Sequence, residues 1–375
     1  YKRQVAYIHS YNCVTPLGIT VQENVEALLQ GQVGIQFYPH FGSLSDIYLG
    51  KIPSQMIEDA FPYVSPSMEL SWLERLTLLA VLPFVPMIFT RERTAFVFAT
   101  TKGNISKLNT SSDGDTLPYL TKIAKKIASF IGIKTEPIVV SNACVSGAMA
   151  VSVADRLIRM GSYDNALVVA ADEVSEFVLS GFQSFQAVSS KPCRPYDKER
   201  DGITLGEATA ALFLTKEEFG AQGEILSSSS INDANHISGP SRTGEGLFLS
   251  IQNALRQASL EASQIDLINA HGTGTLYNDE MESIAFFRSG LQETPLNSYK
   301  GYFGHTLAAS GLLELVLSIA LAKEGKAIRS EGFSNLGVSY PLHIIEQTCE
   351  LPITYLLKTA SGFGGSNTAI ITKII

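Results

Sequence analysis

Three residues of this chain have side chains suited to covalent catalysis and stand in segments built for it: Cys144, His271 and His305. Cys144 lies in Ser141-Asn142-Ala143-Cys144-Val145-Ser146-Gly147-Ala148-Met149, after an apolar strand-like run and directly ahead of an amphipathic helical pattern. A cysteine at such a strand-to-helix turn is near the positive end of the helix, which favours the thiolate that a nucleophile needs. Ala143, Ser146, Gly147 and Ala148 are small and leave space beside the sulfur. His271 opens His271-Gly272-Thr273-Gly274-Thr275 at the end of another apolar run, and the carboxyl edge of an α/β sheet is where ligands gather. His305 closes Lys300-Gly301-Tyr302-Phe303-Gly304-His305, just ahead of a long apolar helix whose positive end favours a neutral, hydrogen-bond-donating imidazole. A fourth segment, Ser361-Gly362-Phe363-Gly364-Gly365-Ser366-Asn367, supplies glycines that let backbone N–H groups approach a ligand, as an oxyanion hole requires. It precedes a strand rather than a helix, so a dinucleotide loop is excluded. Each feature alone has a plainer reading: a buried structural cysteine, a satisfied loop histidine, a solvated Lys300.

Elements able to hold these residues recur along the chain. Apolar strand-like runs occupy residues 94–99, 137–140, 165–170, 209–214, 265–269 and 368–372, with helical patterns at 145–160, 246–258 and 307–323. Strands that are apolar on both faces and alternate with helices predict a largely parallel sheet covered by helices. The brief Ser run 227–230 follows a strand-like stretch at 224–226, and residues 76–90, with Pro83 and Pro86, read as a buried helix followed by a turn. Two related halves are suggested by Gly206-Glu207-Ala208 running into 209–214 and Gly364-Gly365-Ser366 running into 368–372, with the join near residue 220.

Composition narrows the function class. The 375 residues are 45% hydrophobic and 17% charged, enough for a sizeable core and against disorder. A formal charge of −8 argues against a general role in nucleic-acid binding. The four cysteines, at 13, 144, 193 and 349, form neither a CxxC pair nor a Cys/His cluster at zinc spacing, which argues against a structural metal. So few cysteines point to an intracellular, cytoplasmic protein with reduced thiols, and Tyr1-Lys2-Arg3-Gln4 opens no apolar signal run.

Together the four segments resemble the β-ketoacyl synthases of the thiolase-like superfamily, in their elongating Cys-His-His class. The likeness runs from about residue 90 to the C-terminus and includes Arg194-Pro195-Tyr196-Asp197-Lys198-Glu199-Arg200-Asp201-Gly202 with Gly206-Glu207. It implies an α/β, thiolase-like fold of two pseudo-symmetric halves in an α-β-α-β-α arrangement, residues 1–220 carrying the nucleophile and 221–375 the histidines. It also implies that Cys144 takes an acyl group from a carrier thioester, with the N–H groups of Cys144 and Phe363 as oxyanion hole and Phe363 as gate. His271 and His305 would stabilise the enolate formed as a malonyl thioester loses carbon dioxide, and Lys300 would tune them. Thr273, Thr275, Gly364 and Gly365 would line the substrate's approach, while Asp279 and Glu314 stand where the family carries supporting acids. No metal or redox cofactor is implied, phosphopantetheine entering as part of the carrier protein, and a homodimer or a heterodimer with a related subunit is expected.

The chain departs from the family in places. Only Pro16-Leu17-Gly18 remains of the glycine-rich opening, His9 and Cys13 read as structural, and residues 35–135 look shortened. Lys102, in Thr100-Thr101-Lys102-Gly103-Asn104, stands where relatives carry small or apolar residues near the dimer interface and the far end of the acyl pocket. An unpaired ammonium there sits poorly with a long saturated chain, so Lys102 either sets specificity for polar or conjugated chains or snorkels to water. That pattern resembles synthases of aryl-polyene or flexirubin-type pigment pathways. Lys122 and Lys126, four apart on a helical pattern, are candidates for an acidic carrier's docking patch, or else a solvated face. The competing reading is a non-catalytic chain-length-factor subunit, which usually lacks the nucleophilic cysteine retained here. A degradative thiolase would need a second cysteine at 361–367, and an initiating synthase an Asn at 305.

Overall fold

The computed structural model describes residues 4–61, 69–90, 93–109 and 119–375. Tyr1-Lys2-Arg3 lie outside them. Ten strands make the central sheet: β1 (Ala6–Val14), β2 (Thr94–Ala99), β3 (Ile138–Val140), β4 (Asn165–Asp172), β5 (Ala208–Thr215), β6 (Gly223–Asn232), β7 (Leu267–Asn269), β8 (Leu296–Asn297), β9 (Tyr355–Gly362) and β10 (Ser366–Ile374). Their order across the sheet is β8-β7-β9-β10-β6-β1-β5-β4-β2-β3. The two five-strand sets repeat one pattern: β3, β2 and β4 are parallel, β5 is antiparallel to β4 and β1 to β5. In the second set β8, β7 and β9 are parallel, β10 is antiparallel to β9 and β6 to β10. The sets join where Ala6, Tyr7 and Ile8 of β1 pair with Ile225, Glu224 and Gly223 of β6. Five of these nine pairings are antiparallel, so the sheet is mixed rather than largely parallel. Unbroken apolar runs report burial of both faces, and antiparallel strands covered on both sides leave the same signature.

The helices that matter here are α1 (Trp72–Val81), α2 (Leu120–Phe130), α3 (Ser146–Arg159), α4 (Glu176–Ser184), α5 (Glu245–Ala258), α6 (Leu276–Arg288) and α7 (Ala308–Lys323). Side-chain alternation sorts the strands between them. In β2, Ala95, Val97 and Ala99 join a core with α3 and α7, while Phe96 and Phe98 face α1 and α2. In the second set, Leu356 and Ile370 reach the same α3/α7 core, while Leu357 and Ile371 pack against α5 and α6. Helices α3 and α7 therefore form a middle layer between the inner faces of both strand sets, the layering that the resemblance implies. In α7 every residue except Ala320 and Lys323 is buried, as expected for a helix enclosed on all sides. Among the described residues no helix is long and apolar enough to cross a membrane.

Two glycines permit the middle layer to close. A Cβ on Gly147 would lie 2.5 Å from the Ala308 carbonyl oxygen, and one on Gly311 would lie 2.8 Å from the Ala148 nitrogen. Two local expectations need correction. The Ser run belongs to β6, paired with β10, because its hydroxyls find partners: Ser227 donates to the Ala254 carbonyl (2.8 Å) and Ser230 meets Thr368 (2.9 Å). Residues 82–90 do not turn away after α1; a 3-10 turn with Pro83 near its start leads into a helical turn at Val85–Thr90, early positions where proline's missing N–H costs nothing.

Candidate active site

Three chain segments converge at the carboxyl ends of the strands. Cys144 follows β3 and precedes α3, His271 follows β7, and His305 precedes α7. Ala143 holds φ at +43°, a left-handed bend that turns the chain just before Cys144. The Cys144 sulfur and a ring nitrogen from each histidine lie within 4.8 Å of one another, all buried. The imidazoles meet edge to face, their centroids 5.1 Å apart. Behind the sulfur runs the end of β9: a Cβ on Gly362 would stand 3.2 Å from the Cys144 nitrogen, and the Phe363 N–H comes close enough to the sulfur to favour its anion. The backbone donors proposed for an oxyanion thus flank the reacting atom.

Burial decides the resting charges. It pushes the Cys144 thiol up to about 12, with Lys300, Lys102 and the Phe363 N–H pulling the other way. The expectation of a helix-stabilised thiolate is therefore corrected: α3 starts at Ser146, two residues on, and its positive end still favours the anion, but desolvation of the buried sulfur outweighs it. Both imidazoles are held well below the ordinary histidine range, first by burial and then by the charge of Lys300, with Lys358 adding to each. They are neutral for this reason more than for any helix end.

Hydrogen bonds fix where their protons sit. Lys300, 1% exposed, donates to the His271 carbonyl (2.5 Å), to His271 Nδ1 (3.2 Å) and to Glu314 Oε1 (2.7 Å). An ammonium accepts nothing, so Nδ1 of His271 is the acceptor and its proton is on Nε2. Ser310 Oγ accepts from the Thr306 N–H (3.1 Å) and is free to donate to His305 Nδ1 (3.0 Å), which gives the same tautomer. Asp279 accepts from the N–H groups of Tyr196 (2.7 Å), Thr273 (2.9 Å) and Gly274 (3.1 Å), tying the 194–202 segment to the loop after His271.

Above the sulfur opens a cavity of about 390 Å³ lined by Cys144, both histidines, Thr273, Thr275, Phe363 and Gly365 among others. The Phe363 ring tilts against Phe182 (centroids 5.5 Å) and meets Phe185 edge to face (5.7 Å), an aromatic rim beside the nucleophile. The two threonine hydroxyls are 2.9 Å apart. Gly364 is exposed at the β9–β10 turn with φ +84° and does not line the cavity, so its role is the turn rather than substrate contact. Lys102 is exposed and lies outside the lining, its turn anchored by Thr100 and Thr101, which donate to the buried Asp172 (2.8 Å each), though its charge still acts on the Cys144 sulfur. Lys126 pairs with Glu74 (2.7 Å) and the Glu69 carbonyl (2.7 Å), while Lys122 is exposed with its Nζ 5.1 Å from the Tyr119 ring; neither lines the cavity.

Comparison with known proteins agrees with this geometry. The description "Beta-ketoacyl synthase, N-terminal domain" matches residues 95–219, and "Beta-ketoacyl synthase, C-terminal domain" matches 222–333. The chain belongs to the β-ketoacyl synthase family. It thereby has the thiolase-like fold and is an acyltransferase. A putative mitochondrial 3-oxoacyl-[acyl-carrier-protein] synthase of Schizosaccharomyces pombe is 25% identical, the alignment covering 98% of each chain. The 3-oxoacyl-[acyl-carrier-protein] synthase 2 of Rhizobium meliloti is 32% identical over 62% of this chain and 60% of that protein. Among solved structures, a chain of the ketosynthase ApeO in complex with its chain length factor ApeC, from Xenorhabdus doucetiae, superposes with TM-score 0.87 at 27% identity, covering 99% of this chain and 98% of that one.

Sequence reading missed several residues of this ketosynthase site. Glu282 accepts from the N–H groups of His271 (2.9 Å) and Gly272 (2.7 Å), and its signal was a second acid three positions after Asp279 on one helix face. Lys358 is fully buried and reaches Glu314; a lone lysine inside the apolar strand 355–362 marked it. The 236–241 loop lines the cavity and had no sequence signal. The Cys144/His271/His305 set also has the donor types of a zinc site, invisible as spacing because each ligand comes from a different segment.

Proposed function

We propose that this ketosynthase catalyses decarboxylative Claisen condensation of a carrier-bound malonyl thioester with an acyl group held on Cys144. The observation that carries the proposal is the meeting of one sulfur and two neutral imidazoles within 4.8 Å, beside the Phe363 N–H, at a cavity lined by Phe182, Phe185 and Phe363. In the first half-reaction the Cys144 sulfur attacks the acyl thioester carbonyl, its proton passes to the departing carrier thiol, and backbone N–H groups hold the oxyanion. In the second, the Nε2–H groups of His271 and His305 donate to the malonyl thioester oxygen. The carboxylate leaves as carbon dioxide, and its bonding electrons form the enolate they stabilise. The enolate carbon attacks the acyl-Cys144 carbonyl, and the cysteine leaves, giving a β-ketoacyl thioester. A neutral imidazole suits this role, since a donor to a developing anion in a dry site acts at full strength.

Substrates and partners follow the same reading: acyl and malonyl groups on an acyl carrier protein, in fatty-acid or polyketide-type, including polyene, synthesis, and a dimer with itself or with a related subunit. Likeness to the ApeO–ApeC complex of a ketosynthase with its chain length factor supports the heterodimer option. A non-catalytic chain-length-factor role is disfavoured by the assembled triad. Intact-protein mass spectrometry after incubation with saturated and polyenoyl carriers should show acyl addition to wild type and none to Cys144→Ala, with β-ketoacyl carrier formed when malonyl carrier is added. A wild type that is never acylated would refute the proposal.

A further inference from the structure

Behind the two imidazoles lies more positive charge than an ion pair requires. Lys358 is in the middle of β9, opposite Asn269 of β7, with its side chain wholly buried. Its Nζ donates to Glu314 Oε2 (2.5 Å) and to the carbonyls of Ala270 (3.3 Å) and Asn269 (3.4 Å). Lys300 takes the other oxygen of the same carboxylate and the next carbonyl, that of His271. One carboxylate thus serves two ammonium groups, and three successive carbonyls leading into the catalytic histidine are gripped by cations. The other ionisable groups facing this cluster are Glu282 from α6, the two imidazoles, the Cys144 and Cys193 thiols and the Tyr196 and Tyr299 phenols; β10 presents Ile370. Lys300 and Glu314 would neutralise one another, and the nearest further carboxylate for Lys358 is Glu282, whose oxygens are taken by the N–H groups of His271 and Gly272. Two buried ammonium groups held on one carboxylate are costly to the fold, which argues that the second is retained for what it does to its neighbours.

We propose that Lys358 is a second positioning lysine of the condensation site: it divides Glu314 with Lys300, pins the backbone that presents His271, and keeps a second positive charge behind both imidazoles. The inference rests on the condensation reading above. The charge holds His271 and His305 in the neutral, Nε2–H form and adds a favourable field for the enolate oxygen. Burial lowers the Lys358 ammonium to about 8, so this second charge is present at neutral pH and fades as pH rises through that value.

The test compares wild type, Lys358→Met and Lys358→Gln, the last keeping a hydrogen-bond donor without the charge. Acyl loading of Cys144, malonyl-carrier decarboxylation and histidine-ring ¹⁵N NMR are followed from about pH 5 to about pH 9.5. Both variants should decarboxylate about tenfold more slowly at neutral pH, the equivalent of one pK unit of lost interaction, while loading changes by less than about twofold. The imidazole titrations should move upward, and the alkaline decline of the wild type near 8 should disappear. Unchanged titrations and an unchanged alkaline limb would overturn the proposal, as would equal losses of loading and decarboxylation. If neither variant folds, wild type decides alone: imidazole ¹⁵N shifts with no inflection between about pH 7 and pH 9.5 would overturn it. A wild type that shows the inflection but never decarboxylates would withdraw the condensation reading and leave the coupling of Lys358 to the imidazoles standing.

Discussion

Replacing Gly147 with alanine should damage stability and catalysis together, because that glycine lies at the crossing of the two helices that present Cys144 and His305. The new methyl would meet the Ala308 oxygen at 2.5 Å, the Leu312 nitrogen at 3.1 Å and Ala170 Cβ at 3.2 Å. Carbon atoms rest at about 3.5 Å or more, so α3 and α7 must part by about 1 Å, and two of the three obstacles are backbone that cannot swing aside. Overpacking of this kind costs about 1–3 kcal/mol, and the backbone contacts put it near the upper end. For a chain of this size, about 3 kcal/mol lowers Tm by roughly 5 °C. A displacement of about 1 Å between a nucleophile and its partner group can cost about 10²-fold in rate. Gly181→Ala is the control: the site is helical, nothing lies within 4 Å of its added Cβ, and alanine there should be neutral or stabilising. Thermal melts and condensation with acyl and malonyl carriers read both effects. A Gly147→Ala protein that melts and turns over like Gly181→Ala would refute the close-crossing argument.

Other outcomes follow from the site. The acid limb of malonyl decarboxylation should lie well below 6.5, since both imidazoles stay neutral there; a limb at the ordinary histidine value would contradict their burial. Because the unfolded histidines ionise at about 6.5 and the folded ones only well below it, the unfolded state binds more protons under that pH. Stability should therefore fall as pH drops from 6.5, measurable by urea melts. His271→Ala and His305→Ala should impair condensation far more than acyl loading of Cys144; complete loss of loading in folded variants would reverse the assignment of roles. Zinc should inhibit reversibly, with relief by EDTA and protection by prior acylation of Cys144, because Sγ and two ring nitrogens lie within 4.8 Å; inhibition unaffected by acylation would locate the metal elsewhere. Lys102→Met should leave the ratio of saturated to polyenoyl substrates unchanged in a competition assay, its side chain lying outside the cavity lining; a shifted ratio would show that it reaches the chain.

The meeting of Cys144, His271 and His305 was legible because each stands between packed elements in a short turn with small neighbours, and such turns leave a local pattern. What held them was not. Lys300 looked like a surface charge until Glu314, fourteen residues on, and the His271 carbonyl came to enclose it. Strand direction was misread because burial of both faces erases the alternation that would separate one sheet type from another. The thiolate expectation weighed a local dipole against nothing, since desolvation is a property of the packed molecule. Lys122 and Lys126 share a helix face as their spacing requires, yet Glu74, fifty-two positions before Lys126, had already claimed one of them.

The repeated pairing of the two strand sets has a consequence for how the site holds its parts. Counting strands, β3 and β8 are counterparts at opposite ends of the sheet, and each leads into one of the two middle-layer helices, β8 by way of a short helix at Lys300–Phe303. Cys144 lies between β3 and α3; His305 lies between β8 and α7. The sulfur and the imidazole thus occupy corresponding places in two repeats of one framework, one ahead of each middle-layer helix. A shift of one repeat against the other would change the distance between them, so that distance is only as constant as the grip between the repeats. The crossing at Gly147 and Gly311, where each helix gives up a side chain to the other's backbone, is the seam that keeps it.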